Sequence, residues 1–339
     1  MNQPLPSVTP TDQLNRPLRD LRISVTDRCN FRCRYCMPKE AFGPGFRFLD
    51  KHAILSFEEI TRLSEAFVAL GVRKLRLTGG EPLLRRQLEV LVAQLSELGC
   101  DLSLTTNGSL LEHQAAALRQ AGLRRLTVSV DSLDPATFER ITDGGDSLGA
   151  VLRGIDAAEG LGFESIKINT VVKRGVNDHE LVTIARYFTD RGHTVRFIEY
   201  MDVGQTNGWL KRDVVRADEM LDTLKTAFEL VPVDPSYRGE VARRHRVLGS
   251  SAEIGFITSV SQPFCGDCTR ARLSANGMLY TCLFATEGTD FSAPLRAGAT
   301  SEELKERIAV LWQKRGDRYS ELRSEVRGPR RLEMSYIGG

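Results

Sequence analysis

Between residues 21 and 200, six short apolar runs alternate with stretches of helical period, and glycine stops several of those stretches. After about Pro232 this rhythm gives way to short strand-like runs. Together the two patterns predict an α/β chain. Its first part, residues 1–240, is an incomplete (β/α)6 TIM-type barrel, and a smaller C-terminal α+β domain follows over residues 241–339.

The first strand is expected over residues 21–26, from the run LRISVT. Ser56 and Glu59 have capping-box spacing and open a helix that Gly71 ends. A strand over 74–78 precedes a helix over about 84–98, stopped at Gly99. The third strand spans 102–106, and its helix, about 112–121, ends at Gly122. A strand over 125–130, a helix over about 148–161 and a strand over 165–172 continue the series. Asn177 is placed to cap the next helix, which runs to about 191, and the sixth strand covers 194–200. Parallel strands in this order put an active site at their C-terminal ends. In the second part, residues 253–258, 269–274 and 278–283 read as strands, with Asn276-Gly277 as a hairpin turn. A helix over about 301–314 and a basic tail ending in Gly338-Gly339 complete the chain.

Composition narrows the function. A net charge of +2 and a pI near 8.2 are too mild for a surface that coats nucleic acid. No run approaches the ~18 apolar residues of a transmembrane helix. The first 20 residues are rich in Pro and polar groups and lack the apolar core of a secretory signal. A cytoplasmic protein is expected, in which seven cysteines mean metal or redox chemistry rather than a disulfide framework.

Six of those cysteines form two sets of three. Cys29, Cys33 and Cys36 have the pattern C-x3-C-x2-C, with Tyr35 just before the last. Three thiolates can hold three corners of a four-iron cluster and leave one iron open for a small molecule. A zinc knuckle normally takes four protein ligands. Cys265, Cys268 and Cys282 form the second set, C-x2-C-x13-C. A second cluster with an open iron fits it, and a zinc site completed by His245 is the alternative. Cys100, at the end of a helix, reads as a packing residue. Thr78-Gly79-Gly80-Glu81-Pro82 follows the second strand, where paired glycines admit close approach to the backbone. Arg270 and Arg272 alternate on a strand and so share a face, suited to a polyanion. Arg22, Lys74, Arg76, Lys167 and Arg196 are further cations at strand positions, and no phosphate-binding P-loop sequence is present.

The first triad, with its aromatic residue, resembles the signature of radical S-adenosylmethionine (SAM) enzymes. Residues 27–38 (DRCNFRCRYCMP), Thr-Gly-Gly-Glu-Pro-Leu, Thr105-Thr106-Asn107-Gly108, Ser129-Val130-Asp131-Ser132-Leu133, the second triad with Arg270-Ala271-Arg272, and the Gly-Gly end together resemble the GTP 3′,8-cyclase family, molybdenum cofactor biosynthesis protein A. The resemblance covers nearly the whole chain from Leu21. It implies a lyase that uses SAM to convert GTP to (8S)-3′,8-cyclo-7,8-dihydroguanosine 5′-triphosphate, the first step of molybdenum cofactor biosynthesis. It implies two 4Fe-4S clusters, one on Cys29, Cys33 and Cys36 and one on Cys265, Cys268 and Cys282. Tyr35, Gly80, Ser129 and Met201 would contact SAM. Arg22, Arg76, Thr105, Lys167, Arg270, Ala271 and Arg272 would contact GTP, with Arg270 and Arg272 also catalytic. The Gly338-Gly339 tail would reach the active site. Cyclic pyranopterin monophosphate synthase would act next, a low-potential donor would supply electrons, and a homodimer is left open. The competing readings are a peptide-modifying radical SAM maturase with one auxiliary cluster and a non-catalytic iron–sulfur or zinc protein.

Overall fold

A computed structural model describes residues 9–144, 147–323 and 331–338. Strands β1 (Asp20–Ser24), β2 (Lys74–Thr78), β3 (Asp101–Thr106), β4 (Arg125–Ser129), β5 (Ser165–Val172) and β6 (Thr194–Glu199) lie side by side in sequence order, all parallel. The helices between them are α1 (Phe57–Ala69), α2 (Leu88–Ser96), α3 (Leu111–Gln120), α4 (Pro135–Thr142), α5 (Leu148–Gly160) and α6 (Leu181–Thr189). After β6 come α7 (Ala217–Lys225), β7 (Leu230–Val233), β8 (Ala242–Val247), β9 (Glu253–Ile257), β10 (Arg270–Leu273), β11 (Met278–Tyr280) and β12 (Thr289–Asp290). Helices α8 (Ser292–Arg296), α9 (Ser301–Gln313), α10 (Tyr319–Leu322) and α11 (Met334–Ile337) follow.

The later strands extend the barrel sheet at both edges. β10 pairs parallel with β1 and β9 pairs parallel with β6, so β10, β1 through β6, and β9 run in one direction. β8 and β7 add antiparallel beyond β9, and β11 and β12 beyond β10. Residue 240 falls in the connection between the paired strands β7 and β8.

Period-two alternation divides the sheet's faces. Leu21, Ile23, Leu75, Leu77, Leu104, Val128, Ile168, Val195 and Phe197 are buried in the core beneath the helices. Each such side chain contributes about 1.5–3 kcal/mol relative to exposure. The alternate positions are polar: Asp20 and Arg22, Lys74 and Arg76, Ser103 and Thr105, Arg125 and Thr127, Lys167 and Asn169, Thr194 and Arg196. A barrel packed solid needs bulky branched residues on its inner face. These residues instead line a cavity.

Local signals explain most elements. The Ser56 hydroxyl accepts from Glu59 N (3.1 Å) and Glu59 accepts from Ser56 N (2.8 Å), closing the expected capping box of α1. Thr300 and Glu303 cap α9 the same way. α2 starts later than expected, because Glu81 first caps the 3-10 turn Pro82–Leu84 and Gln87 then takes a left-handed φ of 58°. α4 was not anticipated, although Asp134 caps it and Pro135 opens it. α7, β7 and β8 were also missed; β8 is ARRHRV, whose charges mask its strand character. The Asn177 side chain does not cap a helix. Its amide donates to the Asp131 and Val171 carbonyls (2.7 and 2.8 Å), tying the ends of β4 and β5 together. The third strand of the second part stops at Tyr280 instead of 283.

Candidate functional site

The barrel encloses a cavity of about 810 Å³, lined by all six paired-set cysteines. That lies in the upper part of the ~300–1,000 Å³ range of ligand pockets. Cys29, Cys33 and Cys36 sit on the loop after β1, and Cys265, Cys268 and Cys282 flank β10 and β11, beside β1. Both trios therefore face one space, from adjoining strands.

The cysteine loop is held by the segment after β2. Gly80 N donates to Thr26 O (2.8 Å) and Glu81 N to Arg28 O (2.7 Å). A Cβ on Gly80 would lie 2.3 Å from Arg28 O. The close approach that these glycines permit is thus first of all to the chain's own cysteine loop. Glu81, fully buried, accepts from Thr106 Oγ1 (2.7 Å), Leu83 N (3.0 Å) and Asn107 N (2.7 Å). Burial raises its carboxyl to about 7, against the pull of those donors. The Tyr35 hydroxyl donates to Asp131 (2.6 Å), and Asp131 also accepts from Val171 N (2.8 Å). Burial lifts Asp131 to about 6. Asn107, Glu81 and Asp131 lay inside quoted motifs, yet their roles were not read from sequence, because their partners are distant in the chain.

The donor set fits iron–sulfur ligation. Burial pushes the Cys29 thiol up to about 11, helped by Glu81, and raises the Cys33 and Cys36 thiols as well. Buried thiols of this kind become thiolates when a metal centre displaces their protons. In the second trio, burial lifts Cys282 to about 12. Burial works against the Cys268 thiolate too, but Arg270 and Arg315 overcome it and bring Cys268 down to about 6. Arg270 donates to Cys268 Sγ at 3.2 Å. Arg16 donates to Cys265 O (2.7 Å) and Arg315 to Cys268 O (2.6 Å), and the buried Asp12 carboxylate bridges the two guanidiniums. Among the described residues no three His, Cys, Asp or Glu side chains converge on a single metal ion. His245 packs edge-on against Phe256 with ring centres 5.5 Å apart, away from the cavity lining, so it does not complete a zinc site. Cys100 likewise lies outside the lining.

Between the two trios the sheet carries cations in register. Arg272, Arg22, Arg76, Ser103 and Arg125 form one row across β10, β1, β2, β3 and β4. Thr105, Thr127, Lys167 and Thr194 form another across β3 to β6. Arg76 donates to Thr105 Oγ1 (3.0 Å) and Thr127 Oγ1 (3.1 Å), and Arg196 to Thr127 Oγ1 (3.1 Å). Burial, then neighbouring cations, depress this group: Lys167 to about 8, Arg196 to about 9 and Arg272 to about 10. Arg22 is lowered by burial and by Arg272 and Arg76. Arg196 Nε and Asn169 Oδ1 are buried and have no partner among the described residues. A pocket so built favours an anionic, hydrogen-bonding guest.

Tyr35, Gly80, Ser129 and Met201 all line the cavity. Arg22, Arg76, Thr105, Lys167, Arg270 and Arg272 line it too. Ala271 is different: its side chain is fully buried in the core on the sheet's other face. The C-terminal segment reaches the cavity, though Gly338 itself is not in its lining. Met334 and Ser335 join the lining, and the Gly338 carbonyl accepts from Arg272. Gly338 has φ 74°, and a Cβ there would meet Thr78 Cγ2 at 2.7 Å, so only glycine fits. Gly339 lies outside the described residues.

Comparison with known proteins agrees with this geometry. Residues 23–188 match the Radical SAM superfamily model, and residues 193–321 match that for Molybdenum Cofactor Synthesis C. A GTP 3′,8-cyclase of Acidothermus cellulolyticus is 52% identical over 367 residues, covering 100% of both chains. One from Staphylococcus aureus strain JH9 is 48% identical over 335 residues, 97% of this chain and 98% of that one. The crystal structure of Streptococcus suis SuiB bound to S-adenosylmethionine superposes with a TM-score of 0.63 at 14% identity, over 92% of this chain and 69% of that one. That last likeness is one of fold.

Proposed function

We propose, from the premise that this chain belongs to the GTP 3′,8-cyclase family of the radical SAM superfamily, how its cavity cyclises GTP to (8S)-3′,8-cyclo-7,8-dihydroguanosine 5′-triphosphate. The reaction is the first step of molybdenum cofactor biosynthesis. Cys29, Cys33 and Cys36 would hold one 4Fe-4S cluster, and Cys265, Cys268 and Cys282 the second. When bound, the first cluster would supply one electron for the reductive cleavage of SAM, and so the radical chemistry that removes hydrogen from ribose C3′ and joins C3′ to C8 of guanine, with one further electron and one proton completing the dihydro product.

The chain's own residues bind, orient and shield. Tyr35, Gly80, Ser129 and Met201 lie at strand C-terminal ends beside the first trio and are assigned to SAM. Arg22, Arg76 and Lys167, with Thr105 and Arg196, are assigned to the triphosphate, whose charge relieves their mutual repulsion. Arg270 and Arg272 stand beside the second trio, where guanine would lie, and stabilise negative charge developing on the purine. Ala271 can contribute only its main chain. The C-terminal segment covers part of the cavity and limits water access, which protects a reactive intermediate.

The observation that carries this reading is that both cysteine trios line one cavity, with buried cations in register between them. We place the reaction in the cytoplasm, whose reducing conditions keep cysteine thiols available as cluster ligands. Cyclic pyranopterin monophosphate synthase would take the product, and a low-potential donor would reduce the clusters. The test is anaerobic incubation of the reconstituted, reduced chain with SAM, with and without GTP. GTP-dependent formation of 5′-deoxyadenosine and the cyclised nucleotide is expected; cleavage provoked by a peptide but not by GTP would overturn the reading.

A further inference from the structure

We propose that Asp202 is a positioning residue for this reaction, latching the C-terminal segment 331–338 onto the loop after β6 and so holding the Gly338 carbonyl on Arg272. The inference rests on the reading above, which makes the cavity the place where GTP reacts.

Asp202 follows Met201 and is 7% exposed. A carboxylate buried that far costs several kcal/mol unless it is paired. Its donors all come from more than a hundred residues downstream. Tyr319 Oη donates at 2.7 Å, Arg323 Nε at 2.9 Å and Arg331 Nη1 at 2.9 Å, and Arg331 reaches the Asp202 carbonyl as well. None of these donors belongs to the sheet, so the barrel strands pair fully without them.

A second clip lies just beyond. Glu333 accepts from Gln205 N (3.0 Å) and Thr206 Oγ1 (3.1 Å). Gly204, at φ 67°, leaves the room: a Cβ there would lie against the Glu333 carboxylate. The loop itself is braced, with Tyr200 Oη donating to Asn207 O (2.7 Å) and Trp209 Nε1 to Tyr200 O (2.8 Å). On the far side of the clips, Tyr336 Oη donates to Asn276 (2.9 Å), Ile337 is fully buried, and Gly338 meets Arg272.

Met201 and the tail are thus two walls of one cavity, fastened at the Asp202 carboxylate with the Glu333 clip beside it. Releasing Asp202 loosens both walls together. The barrel stays folded, but the guest loses its alignment and its shelter from water.

The test is hydrogen exchange by mass spectrometry on the full chain, which needs no activity. Asp202→Asn is expected to speed exchange of the 334–338 amides about tenfold while β1 to β6 keep their protection. In the cluster-loaded enzyme, cyclised product per 5′-deoxyadenosine is expected to fall about threefold, because misaligned radical chemistry is wasted. Arg331→Leu is the second variant. It removes only the tail's donor, leaves Asp202 paired with Tyr319 and Arg323, and should give the same two changes. Tail amides that stay protected in both variants, exchange that rises equally across the barrel strands in both, or an unchanged product ratio would overturn the latch. If the unsubstituted enzyme made no product from GTP, the functional reading would fail and the exchange data alone would decide the latch.

Discussion

Arg22 on β1 stands directly opposite Arg76 on β2 in the parallel register, and Arg272 on β10 flanks Arg22 from the other side. Three guanidiniums in one row, Arg272 buried and Arg22 and Arg76 half-buried, are a standing cost to the fold, and in the proposed reading the triphosphate of GTP would offset it. Arg22→Leu should therefore stabilise the ligand-free chain by about 1 kcal/mol while raising KM for GTP about tenfold or more. Thermal melts without GTP and steady-state kinetics check the two halves; a less stable variant with unchanged KM contradicts them.

Lys167 gives a pH signature. Burial, then Arg196, Arg125 and Arg76, hold it at about 8, below its unfolded value of ~10.4. The folded chain binds fewer protons at this site than the unfolded chain, so its stability rises with pH between about 8 and 10.4. In the proposed reading GTP takes the protonated amine, so its binding should weaken as pH rises beyond about 8. Titration calorimetry from pH 6.5 to 9.5 should show that decline, and Lys167→Met should flatten it.

Gly80→Ala places a Cβ 2.3 Å from the Arg28 carbonyl and displaces the first cysteine loop. The second trio sits on other segments. Anaerobic reconstitution should therefore fall from about eight irons per chain to about four, with the remaining cluster on the second trio. Loss of all iron would show that the two sites are built together.

Tyr35→Phe removes one of the donors that satisfy the buried Asp131 carboxylate, leaving Val171 N at 2.8 Å. An unmade buried hydrogen bond costs about 1–3 kcal/mol. Chemical denaturation of the ligand-free chain should show that loss, and Asp131→Asn combined with Tyr35→Phe should recover part of it.

The sequence made the barrel legible because its signals are local: apolar alternation, glycine stops and the Ser56–Glu59 box need no knowledge of the rest of the chain. The cysteine spacing was legible for the same reason. What stayed hidden depends on register. That Arg272, Arg22 and Arg76 form a row follows only once β10 is known to pair with β1, a contact between residues about 250 apart. Asp202 has partners at 319, 323 and 331, and no short motif announces them. β8 was missed because four of its six residues, Arg243, Arg244, His245 and Arg246, are basic or titratable and carry no apolar alternation.

The central claim is that SAM and GTP meet in one cavity with ribose C3′ presented to the SAM-derived radical. The direct measurement uses GTP deuterated at C3′ with the reduced, cluster-loaded chain and unlabelled SAM. The account predicts one deuterium in the 5′-deoxyadenosine that is released together with the cyclised nucleotide. Unlabelled 5′-deoxyadenosine formed alongside that product would contradict it.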